Sequence, residues 1–175
     1  SGGRKIAGMT MTYDVDIQRF GAMALFDLKG KTGALSDWAG NSLPPFPQTP
    51  NTASTADGAD LLFIGHDHWL LVADLADEPG LDASLRPARA PSDISIVRIS
   101  DTMCWFEITG RDADQIIALA SPLDVHPAVF PENGATFTEA FGLKALILRR
   151  KAGLLLAVEQ SFGDMIEDYL ARATA

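Results

Sequence analysis

Three histidines, one cysteine and 23 acidic side chains are the groups from which this 175-residue chain could assemble chemistry. The sharpest cluster is His66-Asp67-His68. Residues two apart on a strand point the same way, and imidazoles so placed could share a metal. A third ligand would have to be His126, the remaining histidine. The cluster also lies between two short apolar runs, Leu61 to Ile64 and Trp69 to Ala73, which a polar hairpin turn must join, and no metal site is expected. Gly30-Lys31-Thr32 has the tail of a phosphate-binding loop, but that loop needs a glycine five residues before its last one so that backbone amides can wrap the phosphates. Position 25 is leucine, and no G-x-G-x-x-G fingerprint follows any strand. Ser100, Ser121 and Ser161 have acidic neighbours but no glycine-flanked nucleophile elbow, and Cys104 sits among apolar residues as a buried strand position would. Asp93, Asp101, Asp112, Asp114 and Asp124 flank strand and helix ends, where carboxylates cap backbone donors. No catalytic residue is nominated.

The elements that must position these groups belong to an ordinary globular chain, 47% hydrophobic. Fourteen Lys and Arg against 23 Asp and Glu leave a net charge of -9, which repels phosphate backbones and anionic lipid. Nucleic acid is therefore excluded as an expected partner, and the local run Arg149-Arg150-Lys151 reads as a solvated turn. The single cysteine rules out a disulfide within the chain and favours a reducing compartment, hence the cytoplasm. Ala152 to Val158, the longest apolar stretch, is far short of the roughly 20 residues that span a bilayer, so no membrane helix is expected. Ser1-Gly2-Gly3 reads as a tag remnant, and residues 1–18 as remnant plus N-terminal tail.

Alternating apolar residues predict a strand from Phe20 to Lys29, ended by Gly30, and helical spacing follows over Thr32 to Trp38. Leu43 to Gly58, with Pro44, Pro45, Pro47 and Pro50, predicts a long surface loop. A hairpin and a helix at Pro79 to Leu85 complete a first half. Strands at Ile94 to Ile99 and Cys104 to Ile108, a helix over Arg111 to Ala120, a hairpin of Phe137 to Arg149 with Leu154 to Gln160, and a final helix capped by Ser161 form a second. The expectation is an α+β fold in 19–175, made of two ferredoxin-like halves at about 19–90 and 91–175, each laying helices on one face of an antiparallel sheet.

Specific residues then carry a resemblance. Asp93-Ile94-Ser95, the Trp105 to Gly110 strand ending in Thr-Gly, and Arg111-Asp112-Ala113 opening a helix resemble the glycine-cleavage T-protein superfamily. Within it the chain resembles the gamma subunit family of heterotetrameric sarcosine oxidase, through Phe26-Asp27-Leu28-Lys29-Gly30, the proline-rich segment from Leu43, the Gly65 to Leu71 run, Ser121 to His126, Phe130-Pro131 and Gln160-Ser161-Phe162. That resemblance implies a non-catalytic subunit packed against the large alpha subunit, with beta and delta subunits, in a complex that oxidatively demethylates sarcosine to glycine. It implies no cofactor in this chain, with FAD, FMN, NAD and tetrahydrofolate belonging to the holoenzyme. The family's aminomethyl-transferring enzymes carry an acidic pair for the folate where this chain has Gly142-Leu143-Lys144-Ala145, which argues against the alternative of a stand-alone folate-binding or aminomethyltransferase-like protein. For the partner surface, Trp38, Phe46 and Trp69 are the expected residues, as exposed aromatics beside a proline-rich loop.

Overall fold

The structure is a computed structural model that describes residues 3–5 and 13–175. Its strands are β1 (Arg4–Lys5), β2 (Asp16–Phe20), β3 (Ala24–Lys29), β4 (Ala53–Ala56), β5 (Ala59–Gly65), β6 (His68–Ala73), β7 (Ser95–Arg98), β8 (Met103–Thr109), β9 (Ala135–Ala140), β10 (Leu143–Arg150) and β11 (Gly153–Glu159). Its α-helices are α1 (Thr32–Ala39), α2 (Glu78–Leu85), α3 (Ala113–Ala120) and α4 (Gly163–Ala173). Every strand pairing is antiparallel, within two sheets ordered β1-β2-β8-β11-β10-β9 and β4-β5-β6-β3-β7.

Two compact units result. The inserted unit, Met23–Ser100, runs β3-α1-β5-β6-α2-β7 with spatial order β7-β3-β6-β5, the ferredoxin-like arrangement, and adds β4 at one edge. The split unit joins Asp101–Ala175 to the described residues before Met23. It repeats the pattern as β8-α3-β10-β11-α4, but its fourth strand is β2, supplied from the other end of the sequence and paired along β8 from Phe20↔Trp105 to Asp16↔Thr109.

Each sheet carries its helices on one face because strand parity and helix stripe are both apolar there. In the split unit Ile17, Phe106, Ile108, Ile147, Leu154, Leu156 and Val158 meet Ile116 and Ile117 of α3 and Ile166 and Leu170 of α4. In the inserted unit Phe26, Leu28, Leu61, Leu71 and Ile96 meet Leu35 of α1 and Leu85 of α2. Full burial of a Leu, Ile or Phe stabilises by roughly 1.5–3 kcal/mol, so these two clusters are the main driving force. The opposite strand parity is buried too, at Trp105, Leu146 and Leu155 in one sheet and Leu25, Leu62 and Leu70 in the other.

Four expectations are corrected. The boundaries 19–90 and 91–175 fail because Ile17, 1% exposed, makes β2 a core strand of the split unit rather than part of a tail. The strand expected over Phe20 to Lys29 is two strands in different sheets, broken at residues 21–23. The Leu43 to Gly58 loop contains β4, which turns at Asp57-Gly58, both with positive φ (50° and 78°), and pairs with β5. Phe137 to Arg149 likewise divides into β9 and β10 around Phe141 and Gly142, at φ 50° and 80°, the twist that tight hairpins favour. The expected remnant residues Ser1 and Gly2 lie outside the described residues.

Candidate functional site

The histidine turn forms as the apolar runs require, and its polar groups are engaged within the fold. Asp67 takes a left-handed conformation (φ 51°), which Asp tolerates better than most residues. Its carbonyl accepts the Gly30 amide at 2.9 Å, and its carboxylate pairs with Lys31 Nζ at 2.7 Å, pinning the β5–β6 turn to the corner between β3 and α1. The Lys31 ammonium holds the Asp67 carboxyl below the usual carboxylate range. The lysine of Gly30-Lys31-Thr32 is thus committed to a turn. His68 Nε2 lies against Asp27 Oδ1, while His66 is turned to solvent with Nδ1 3.2 Å from Asp67 Oδ2. His126 belongs to the split unit and accepts the Ala128 amide through Nδ1. Among the described residues no three His, Cys, Asp or Glu side chains converge on a point.

The remaining candidates are similarly engaged. Ser100 Oγ accepts the Leu25 amide at 3.0 Å, and Ser121 Oγ accepts the Leu123 amide at 3.2 Å. Ser161 donates to Glu159 Oε1 at 2.6 Å; it does not cap α4, whose N-terminal boundary is Phe162 with no side-chain cap. Asp112 and Asp124 accept backbone amides of Asp14 and His126 as carboxylates at element ends should, whereas Asp114 binds Arg149. Cys104 is buried at 1% exposure, and that burial pushes its thiol pKa up, outweighing the opposite pull of Arg19.

The three aromatics expected at a partner surface are packing residues to different degrees. Trp69 is 4% exposed, stacked on Phe63 at 4.4 Å and met edge-on by Phe46 at 5.0 Å, so the proline-rich segment is clasped to the sheet rather than standing free. The expected exposure of Trp69 is therefore corrected: its alternation along β6 turns it inward. Phe46 and Trp38 are half-buried. Trp38 Nε1 donates to Leu85 O at 2.6 Å, tying α1 to the end of α2.

Two clefts lined by cations stand out in a chain of net charge -9. One, of about 570 Å³, lies in the split unit beside Arg111, Arg149, Arg150 and Lys151. Its arginines are spent internally: Arg149 binds Asp114 and the carbonyls of Phe130 and Val125, and Arg111 binds Asp14 at 2.6 Å. Gly110 and Gly153 on its wall permit close backbone approach, since a Cβ on either would run into the carbonyl of Asp14 or Ile108.

The other, of about 580 Å³ in the inserted unit, is lined by Asp82, Arg86, Pro87, Arg89 and Arg98 among others. Arg86 closes α2 in the left-handed region (φ 48°), where glycine is normally found. It is held there by lying 4.0 Å over the Trp38 ring and donating through Nη2 to Trp38 O. Sequence reasoning missed this site because its arginines are dispersed around Pro87 and onto β7 and form no run. Lys144, on β10, holds its ammonium 4.7 Å over the Phe137 ring of β9.

The architecture of two ferredoxin-like units on antiparallel sheets is shared by solved structures. One is a heterotetrameric sarcosine oxidase from Corynebacterium sp. U-96 in complex with pyrrole 2-carboxylate, with a TM-score of 0.83 and 19% identity over 97% of this chain and 87% of that one. Another is the glycine cleavage system aminomethyltransferase T from Bartonella henselae, with a TM-score of 0.60 and 14% identity over 85% of this chain and 43% of that one. The fold class is therefore that of the T-protein-like α+β proteins. No curated protein is similar enough in sequence to count as a relative. The sarcosine oxidase gamma subunit family model matches residues 47–175, and the chain belongs to that family.

Proposed function

We propose that this chain is the non-catalytic gamma subunit of a heterotetrameric sarcosine oxidase, packing against the large subunit of the complex in the cytoplasm. The observation that carries the reading is the family match, which runs through both units from residue 47 to 175. The geometry supports it: the lysine, histidine and serine groups with chemical potential hold turns and strand ends within the fold. Substrate oxidation, and the FAD, FMN, NAD and tetrahydrofolate that go with it, belong in this reading to the partner subunits. Co-expression with the alpha, beta and delta subunits tests it. The expected result is a stoichiometric complex that oxidises sarcosine, with the isolated chain inactive and without heat of binding when titrated with tetrahydrofolate. A complex of the other three subunits that assembles and turns over normally without this chain would refute the structural role.

A further inference from the structure

The arginine cleft of the inserted unit differs from the split unit's in that its guanidinium donors are largely unspent. The Arg89 guanidinium makes no hydrogen bond or ion pair with the described residues, its backbone N–H alone donating to Arg86 O, and Arg98, with a half-exposed side chain, pairs only loosely with Glu78 at 3.6 Å and Asp82 at 3.8 Å. Arg86 spends one donor of five on Trp38 O and is fixed by its stacking, so less freedom is lost when its outer edge binds. Three guanidinium groups around one cavity of about 580 Å³ form forks that match carboxylate geometry. Arg98 lies on β7, an edge strand among the described residues, beside Val97, an apolar residue 48% exposed. An edge strand with an apolar side chain and an arginine at its end suits an extended polypeptide. The net charge of -9 disfavours a long polyanion such as nucleic acid, whereas a short acidic segment meets the local field, in which three arginines outnumber the carboxylates of Asp82 and Glu78.

We propose that Arg86, Arg89 and Arg98 form a docking cleft for an acidic, extended segment of a partner subunit laid along β7. This rests on the subunit reading above. The test compares complexes of the wild-type chain, R89E/R98E, R89Q/R98Q and the control K151E with the co-expressed partner subunits. Circular dichroism and thermal melts establish that each variant is folded, and the glutamine pair serves if the reversed pair does not fold. The expected result is a dissociation constant raised about tenfold or more for the arginine variants, with a shallower salt dependence, and K151E unchanged. Folded variants that bind with wild-type affinity and salt slope overturn the cleft while leaving the subunit reading intact. A wild-type chain that fails to assemble overturns both. Arginine Nε resonances of the 15N-labelled chain provide the second arm. If they shift with millimolar inorganic phosphate but stay unmoved in the assembled complex, the cleft is a small-anion site and the proposal is wrong.

Discussion

Lys31 shows how a residue that looks chemical in sequence becomes architectural in three dimensions. Its pairing with Asp67 lowers that carboxyl's pKa, so the pair's contribution to stability is present above the ordinary carboxylate value near 4 and is lost as pH falls through the lowered folded value. Replacing Lys31 with Met should return the Asp67 titration, followed by carboxyl NMR, towards the ordinary range. Arg86 gives a second test. Arg86→Ala keeps an unfavourable left-handed backbone and loses the Trp38 stacking, each worth about 1 kcal/mol, whereas Arg86→Gly relieves the backbone. Chemical denaturation should therefore rank glycine above alanine at this helix end, the reverse of their order inside a helix. Neither role was legible beforehand, because a lysine after glycine and an arginine before proline are compatible with many conformations. The burial of Trp69 was legible in its place at the head of the unbroken apolar run Trp69 to Ala73, which a strand covered on both faces requires.

At the scale of elements, the helices were located by their single apolar stripe and most strands by short apolar runs bounded by turn residues, since many strands are buried on both faces. It failed where a turn lacked its usual residues. Phe141-Gly142 forms a tight turn although phenylalanine is a poor left-handed residue, and its ring compensates by packing 5.2 Å from Tyr169 of α4. Phe141→Asn improves turn propensity by about 1 kcal/mol but removes roughly 2 kcal/mol of half-buried ring, so a net loss of about 1 kcal/mol should appear in denaturation. At Asp57-Gly58 the turn signal was present in the letters and was submerged in the polar stretch around it. Gly153, whose Cβ would strike the Ile108 carbonyl in the neighbouring strand, sets a harder limit. Gly153→Ala should cost about 3 kcal/mol, seen as a lowered Tm, since the start of β11 is paired on both sides, with Arg150 of β10 and Thr109 of β8.

For the whole molecule, the α+β class and the repeat of two ferredoxin-like arrangements could be read from the order of elements, but the division between them could not. No local pattern says that Asp16–Phe20 pairs with a strand beginning at Met103 rather than with its neighbour; only the burial of Ile17 and the bonds of Arg19 to Asp164 and Glu167 reveal it. A truncated chain beginning at Gly21 should therefore lose hydrogen-exchange protection throughout β8, β10 and β11. If the shorter chain retains that protection, β2 is not the strand that completes the sheet.

That borrowed strand also imposes a timetable on biosynthesis. Because translation proceeds from the amino end, Asp16–Phe20 leaves the ribosome long before Met103–Thr109, the partner with which it must hydrogen-bond. Every element of the intervening segment Met23–Ser100 is made first, so one unit can complete its sheet while in the other β2 still awaits β8.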